Sequence, residues 1–465
     1  RTLGIGRVDV CLDLSGFLGR QGCDLRLQIA DPEVRVQVED LEINDLLSID
    51  SNSEMNLGTR DLLMNGDIEN DGLLSNTSGS VFLNHPTTGS VSGAGVFSLY
   101  DLVRQGGATG TTSVDANLTV LNDFTNDEGT IDFGMNNLTV QGDVFTDGHL
   151  VFDASSQGLI FSGSEEQGLD QSNSGVAKID VLTLNNSSGV AMNTGSNYTF
   201  QIDEKLRMDK GVLKLNGNLL ELGVNSEIEQ VNPFGPSNMI STGGAFTNFG
   251  VRKYFPANVQ DQIVFIPLGL TEYMPVIMDF EEGGSSGNTP SDYLFKLNIP
   301  EHPIIQTSNT SNVLGMYFSM EANNIGSGLD MTVQFQYDEN YVQVTSLTEE
   351  DYITARVFNT DVFKNGGTID ANENLLSFDF NNVSEAAVSG DYFAGIDNAI
   401  PDLIPVYSTN NLGGGNVEDA IYTPPVPGGG APNGAIVNIV GSDILNFNVD
   451  GISFYQTNIS TDATL

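Results

Sequence analysis

The chain is poor in the residues that most often carry out chemistry or cross-link a fold. Its 465 residues include no Trp, three His and two Cys, and only 17 Lys and Arg stand against 61 Asp and Glu. So few Cys and His exclude the spacing of a zinc site. Cys11 and Cys23 could form a local disulfide in an oxidising compartment or remain two thiols, and the sequence leaves both possibilities open.

Long apolar runs are missing as well. No stretch approaches the ~20 consecutive apolar residues of a membrane span, and no signal peptide opens the chain. Arg1 does not follow a start methionine, which we interpret as a processed product or a piece of something longer. The formal charge of −44 predicts that the protein does not bind nucleic acid. The acidity itself has two interpretations, a solvated surface that keeps a long protein soluble or a capacity to bind cations.

Short apolar runs separated by Gly, Asn and Asp fill the first half of the chain, and they repeat. The segment DLLMNGDIENDGLL (61–74) matches NLTVQGDVFTDGHL (137–150) at an offset of about 76, and a shorter echo at an offset near 20 relates 117–133 to 137–152. Runs of three to five residues are the length of short strands. A period of ~20 residues with two or three such strands predicts a β-solenoid, in which each coil buries its apolar side only by stacking on its neighbours.

The repeat alignment also predicts which residues face the interior. Leu63, Ile68 and Leu73 are expected in interior rows, stacked over Leu138, Val144 and Leu150. A series of antiparallel sandwiches is the alternative, and the recurrence of the turns in register favours stacking.

The sequence changes its texture near residue 230, where longer and more aromatic runs begin. Their spacing of 15–20 residues with polar loops predicts a β-sandwich, and VSEAAVSG (383–390) allows at most one helical turn. We therefore predict an all-β, elongated protein in five parts: 1–24 unassigned, 25–230 a β-solenoid, 231–395 a β-sandwich, 396–435 a Pro/Gly-rich linker, and 436–465 the start of a second solenoid-like repeat.

Several segments resemble the long repetitive cell-surface proteins of the Bacteroidetes. They include NLTV, TNDEGTI, LTLNNSSGV and KGVLKLNGNLLELG in the solenoid, GAFTNFGVRKYFP and IVFIPLGLTEYMPVIMDF between 244 and 280, and the junction YFAGIDNAIPDLIPVYSTN (392–410). Proteins of that kind are typically exported by type IX secretion and act as adhesins or surface-fibre components. The resemblance implies a secreted or cell-surface location and a structural or adhesive role. Its implied partners are other copies of the chain or adjacent repeats, and surface glycans are a further candidate.

One group of carboxylates recurs at turns and could bind calcium. The candidates are three pairs spaced four apart, Asp67 and Asp71, Asp123 and Asp127, and Asp143 and Asp147. Calcium takes six to eight oxygen ligands, which stacked carboxylates and turn carbonyls could supply. The alternative is that Asp-Gly is simply what tight turns require. Calcium is thus the one cofactor that the sequence suggests.

An enzymatic function is not expected. No nucleophile elbow, phosphate loop or dinucleotide fingerprint is present, and His85 and His149 are expected to be surface residues at turns. The alternative function is a β-helix module that binds or cleaves polysaccharide. A lyase needs a basic residue beside its carboxylates, and only the stretch from Lys205 to Lys214 could form a basic patch on one coil.

Overall fold

The protein is all-β, as the sequence predicts. The computed structural model describes residues 40–172, 176–193, 198–243, 249–256, 259–282, 291–298, 312–326, 328–344, 348–358 and 361–400, with short strands at 27–29 and between 406 and 464. Cys11 and Cys23 lie outside the described residues. Within the described residues, no helix is long and apolar enough to span a membrane.

A parallel β-solenoid forms the first part of the structure, and each of its coils contributes three short strands. The first face contains β2 and every third strand to β32, the second face contains β1, β3 and every third strand to β30, and the third face contains β4 to β28 in the same way. The strands in chain order are β1 Leu27–Ile29, β2 Leu41–Ile43, β3 Leu46–Ile49, β4 Glu54–Asn56, β5 Leu62–Met64, β6 Asp67–Asn70, β7 Leu73–Ser75, β8 Ser80–Asn84, β9 Thr88–Ser92, β10 Val96–Leu99, β11 Asp101–Gln105, β12 Thr111–Asp115, β13 Leu118–Val120, β14 Phe124–Asn126, β15 Thr130–Asp132, β16 Leu138–Val140, β17 Val144–Thr146, β18 His149–Val151, β19 Leu159–Phe161, β20 Gln167–Asp170, β21 Val176–Ile179, β22 Val181–Asn185, β23 Val190–Met192, β24 Thr199–Ile202, β25 Lys205–Lys210, β26 Leu213–Lys214, β27 Leu219–Leu222, β28 Glu227–Gln230, β29 Ile240–Ser241, β30 Gly250–Phe255, β31 Gln260–Ile266, which lies outside these faces, and β32 Leu268–Gly269.

Burial alternates along each strand, because successive side chains of a strand point to opposite sides of the sheet. Leu62 and Met64 are fully buried inside the solenoid, whereas Leu63 between them points outward and is half-buried. The prediction that Leu63 and Leu73 face the interior is therefore wrong, and Leu74 takes the interior position of its strand.

The ~20-residue coil period is confirmed, but the 76-residue match does not mark stacked positions. Equivalent residues are 19 apart in the pair Leu62 and Val81 and 27 apart in the pair Leu213 and Ile240. DLLMNGDIENDGLL runs through the first, second and third faces, whereas NLTVQGDVFTDGHL runs through the third, first and second. The two copies match because the strands and turns of all three faces have similar sequences. A similar segment can therefore recur with its first strand on a different face.

Large polar side chains occupy part of the solenoid interior. His85 is buried and hydrogen-bonds Thr112 Oγ1 at 2.9 Å and the Gly66 carbonyl at 3.0 Å, so its predicted surface position is wrong. Arg104 is 0% exposed and donates to the backbone carbonyl of Glu128. Burial lowers the pKa of this guanidinium, with Glu128 and Asp127 opposing the shift.

A glycine makes room for the buried guanidinium. A Cβ atom at Gly129 would lie 2.5 Å from Nη1 of Arg104, and the backbone of Gly129 has a φ of +79°. Only glycine adopts this conformation without strain while leaving the space open. The corner between the first and second faces is thus shaped around Arg104.

Two antiparallel sheets form the second part of the structure, the predicted β-sandwich. One sheet continues the second face through β34, β35, β41, β37 and β38, and the other has the order β31, β33, β36, β40 and β39. Phe318 and Phe335 stack across the two sheets at 4.8 Å, and Tyr392 lies 5.0 Å from Phe335. The elements are β33 Val276–Glu282, β34 Ser291–Asn298, β35 Tyr317–Asn323, β36 Leu329–Gln336, β37 Tyr352–Phe358, β38 Asp361–Lys364, β39 Gly367–Asp370, β40 Leu375–Val383, α1 Glu385–Val388 and β41 Gly390–Ile396, with 3-10 turns at Glu339–Tyr341, Glu349–Asp351 and Asp397–Ala399.

Strand β30 joins the solenoid to the sandwich in a single sheet. One edge of β30 pairs in parallel with β27 and the other pairs antiparallel with β34. The second face therefore continues into the sandwich without a break, as one sheet of 16 strands. The first face also runs past residue 230 through β29 and β32, so only the third face stops near the predicted boundary.

Three polar side chains of β30 fasten this junction. Arg252 donates from Nη1 to Glu221 of the solenoid at 3.0 Å, and its Nε lies 3.2 Å from Asp292 of the sandwich. Tyr254 donates to the same Glu221 carboxylate at 3.1 Å. The buried Lys253 donates to the carbonyls of Gly223 at 2.6 Å and Ser226 at 2.8 Å.

The described strands after residue 400 form antiparallel pairs. These strands are β42 Val406–Ser408, β43 Asp419–Ile421, β44 Ile436–Val437, β45 Leu445–Val449, β46 Ile452–Gln456 and β47 Ala463–Thr464. β42 pairs with β43, β44 with β47 and β45 with β46. Most of the predicted linker lies outside the described residues, and a second solenoid repeat at 436–465 stays a prediction.

The alternation of burial can be tested on two phenylalanines in neighbouring coils of the first face. Phe124 is fully buried and its coil neighbour along the stack is Val144, whereas Phe145 points outward. Phe124→Ala should lower the free energy of unfolding by about 3–5 kcal/mol because it leaves a cavity. Phe145→Ala, the matched control, should cost under about 1.5 kcal/mol. Equal losses in urea denaturation would contradict the assigned register.

Lys253 makes the stability of the junction depend on pH. Burial lowers the pKa of Lys253 to about 8, with Glu227 opposing the shift, whereas an unfolded lysine titrates near ~10.4. Between these values the unfolded chain binds more protons, so the free energy of unfolding should rise with pH. The melting temperature of the wild type, relative to that of Lys253→Met, should therefore rise between about pH 7 and 9.5. A constant or shrinking difference would count against a lowered pKa.

Candidate functional site

The six aspartates predicted as calcium ligands do not form one row. Asp123 and Asp143 lie in adjacent coils at the corner between the third and first faces. Asp127 and Asp147 follow β14 and β17 and lie at the corner between the first and second faces. The remaining pair is divided, with Asp67 at the start of β6 and Asp71 after its end.

The corner between the third and first faces carries a ladder of aspartates. In several coils a carboxylate oxygen accepts a hydrogen bond from the backbone N–H of the following coil, at 2.8 Å from Asp143 to Asp123 and at 2.6 Å from Gly168 to Asp143. The other bonds of this aspartate ladder run from Asp61 N to Asp40, from Ser80 N to Asp61 and from Asp123 N to Asp101. The recurring aspartates therefore have a structural role that joins successive coils.

The calcium prediction gains no support from this geometry. In the part of the chain that the structure describes, no three His, Cys, Asp or Glu side chains are grouped so that they could hold a metal ion. One carboxylate oxygen of Asp123 and one of Asp143 already accept backbone N–H groups. Burial raises the pKa of Asp127, with the negative charges of Asp147 and Glu128 adding to the shift and Arg104 opposing it.

Basic side chains of the predicted Lys205 to Lys214 patch are held in ion pairs. Lys205 lies 3.2 Å from Glu229, Arg207 bonds Asp209 at 2.8 Å, and Lys214 pairs with Glu166 two coils away. His149 lies 2.8 Å from Asp180. Lys205, Arg207 and Lys214 of this patch are thus each paired with a carboxylate.

A groove of about 490 Å³ crosses the outer surface of the first face, over the coils that contain β14 to β26. Outward side chains form two parallel rows there. One row contains Asp143, Gly168, Ala191 and Lys214, and the other contains Thr125, Phe145, Asp170, Asn193 and Asn216. We call this feature the first-face groove.

The floor of the first-face groove lies where the side chains of the first row become small. Gly168 and Ala191 occupy successive coils, so their own side chains leave space beside Phe145 and Asp170, and the Asp143 carboxylate lies over Gly168. Lys214 reaches across the coil of Ala191 to pair with Glu166 and closes one side. Asn193 donates to Asp170 at 2.9 Å and fixes the polar wall opposite. The result is a concave surface with one outward aromatic ring and several fixed polar groups.

A second hollow, of about 530 Å³, lies on the second face beside the junction. Its lining includes Asp203, Glu221 and Tyr254. Glu221 already accepts from Arg252 and Tyr254, and Asp203 accepts from Gln201 at 2.5 Å. These carboxylates belong to the structure that joins the solenoid to the sandwich.

Comparison with known proteins adds no family to this picture. The chain matches no family model, and neither the curated proteins nor the solved structures contain a significant match. The site is therefore interpreted from its own residues.

The residues that shape the groove were not predicted from the sequence. Phe145 lies between the buried Val144 and Thr146, so alternation alone would have placed its ring outside. The small residues opposite it are 23 and 46 positions further along the chain, and only the stacking register brings them together.

The aspartate ladder can be tested at Asp123. Asp123→Ala removes the acceptor for the N–H of Asp143 and should lower the free energy of unfolding by about 0.5–1.5 kcal/mol. Asp123→Asn keeps an acceptor and removes one negative charge between Asp101 and Asp143, so it should be neutral or stabilising. Denaturation in urea at low salt measures both. An asparagine variant as unstable as the alanine variant would show that the charge, and not the hydrogen bond, matters.

Proposed function

We propose that this protein is a structural and adhesive component of a cell surface or extracellular filament, and that it works as a repeat segment of a larger array. The observation that carries the proposal is the single sheet of 16 strands that runs through both the solenoid and the sandwich. A polysaccharide-binding or polysaccharide-lyase module is the alternative.

A continuous sheet suits a protein that holds a shape under tension. Each strand of the second face is bonded to the next through backbone groups, and β30 extends this bonding from solenoid to sandwich. Arg252 adds a side-chain link between Glu221 and Asp292 at the same place. A force applied along the axis would be shared by the two parts, because β30 is paired with both β27 and β34.

Charge favours linear assembly over clumping. At a formal charge of −44, parallel rods repel one another along their whole length. Contacts between ends involve less opposing charge, and salt weakens what remains over a Debye length of about 8–10 Å. An extracellular location rests on the resemblance to Bacteroidetes surface proteins exported by type IX secretion.

The lyase alternative has little in its favour among the described residues. Proton abstraction from an acidic sugar needs a base near a surface that attracts the substrate. The first-face groove is lined by Asp123, Asp143, Glu166 and Asp170, which repel uronic acids. Lys214, the base nearest to it, is already paired with Glu166.

Assembly can be measured on native material. Electron microscopy should show linear particles or filaments, and more of them as the salt concentration rises. Mass spectrometry should show whether these consist of separate subunits or of a longer parent polypeptide. Isolated particles at micromolar concentration at every salt level, with no longer parent polypeptide, would contradict the structural proposal.

Turnover is measured separately. The purified chain, incubated with neutral and acidic polysaccharides, should release no new reducing ends and no unsaturated uronates. Steady product formation from a preparation free of contaminating enzymes would favour the lyase alternative.

A further inference from the structure

We propose that the first-face groove binds a neutral or amino-sugar glycan chain, with Phe145 as the platform on which a sugar ring packs. This inference rests on the adhesive function proposed above and names its ligand class. Three features carry it: the aromatic ring, the trough beside that ring and the sign of the surrounding charge.

Phe145 offers an outward aromatic surface in a fixed position. Its strand neighbours Val144 and Thr146 are both fully buried and hold the backbone in the first face. The ring is half-buried, so one part packs on the protein and the other faces the groove. The C–H face of a pyranose ring is apolar and packs well against such a surface.

The trough beside Phe145 has the size and openness that an extended chain needs. Its volume of about 490 Å³ is within the range of sites that hold small ligands. Gly168 and Ala191 keep the floor low over two successive coils. The trough crosses successive coils, which are ~4.8 Å apart, and therefore runs along the solenoid axis. It is open at the surface, so a polymer can enter without a free end.

The polar groups of the groove match sugar hydroxyls. Asp143 and Asp170 offer carboxylate oxygens, and Asn193 and Asn216 offer amide groups. Internal bonds hold these amides in place, from Asn193 to Asp170 and from Asn216 to the Met192 carbonyl at 2.8 Å. Hydroxyls donate to carboxylates and exchange hydrogen bonds with amides in both directions.

Charge decides between classes of glycan. Four carboxylates line the groove, and Lys214 at its edge is committed to Glu166. Uronic acids and sulfated sugars are therefore repelled, whereas neutral sugars are accepted and the ammonium of an amino sugar is attracted. A divalent cation could reverse this preference, but no group of three acidic or histidine side chains able to hold one is found among the described residues.

The test is a glycan array probed with the full chain in buffer containing EDTA. The array carries neutral, amino-sugar, uronic-acid and sulfated glycans, and the strongest binder is then titrated in solution. Binding should be confined to neutral or amino-sugar glycans. Phe145→Ala, which removes the platform, and Ala191→Leu, which fills the trough, should each weaken binding by about tenfold or more.

Met135→Ala is the matched control, because Met135 is 72% exposed on the solenoid and lies outside the groove. It should leave the affinity unchanged, and melting curves should show that all three variants are folded. Preference for acidic glycans, binding that is indifferent to both groove variants, loss of binding in EDTA, or no binding on the array would each overturn the inference. A chain that assembles linearly but binds no glycan refutes this inference alone, whereas a chain that cleaves a glycan refutes the proposed function.

Discussion

Stacking of coils in register is the constraint on which the whole structure depends. A single coil has three strands of two to six residues and cannot bury its apolar side chains or satisfy its backbone groups alone. Each coil gains both from its neighbours, through parallel pairing on three faces. The rule also fixes where variation is allowed, because paired positions from 19 to 31 residues apart keep the strands aligned and the extra residues lie at the corners.

The corners carry the polar side of the same constraint. Aspartates at one corner accept backbone N–H groups from the following coil, and Asn65 and Asn84 continue a similar pattern at another, where Asn84 donates to Asn65 at 2.6 Å. Inside the solenoid, His85 and Arg104 can be buried because backbone carbonyls accept hydrogen bonds from them and nearby glycines leave room for their side chains. Several acidic and amide residues of this chain therefore stabilise the stacking of the coils.

The sequence predicted the class of the fold and the coil period because both follow from local patterns. Short apolar runs, turn residues and their spacing are visible without a structure, and the single helical turn at Glu385–Val388 was expected for the same reason. The rows of interior side chains were mispredicted, because the strands of all three faces have similar sequences and give no local sign of the face to which each belongs. Leu63 and Leu73 were placed inside because each stands beside a second leucine, so the residue types alone do not say which of the two faces inward. The polar interior was missed because the burial of Arg104 depends on Gly110 and Gly129 in later positions of the chain.

The first-face groove begins where the aspartate ladder ends, and this coincidence has a physical cause. The carboxylate of Asp143 still accepts a hydrogen bond from the next coil, but the donor there is the backbone N–H of Gly168, which has no carboxylate to continue the series. The ladder no longer occupies the edge of the first face beyond this point, and the following coil places Ala191 in the same row. The loss of one structural row exposes the side of Phe145 and Asp170 that a longer residue would cover. A surface built mainly for stacking thus acquires a concave, aromatic and acidic feature beside a position where its own hydrogen-bond series stops.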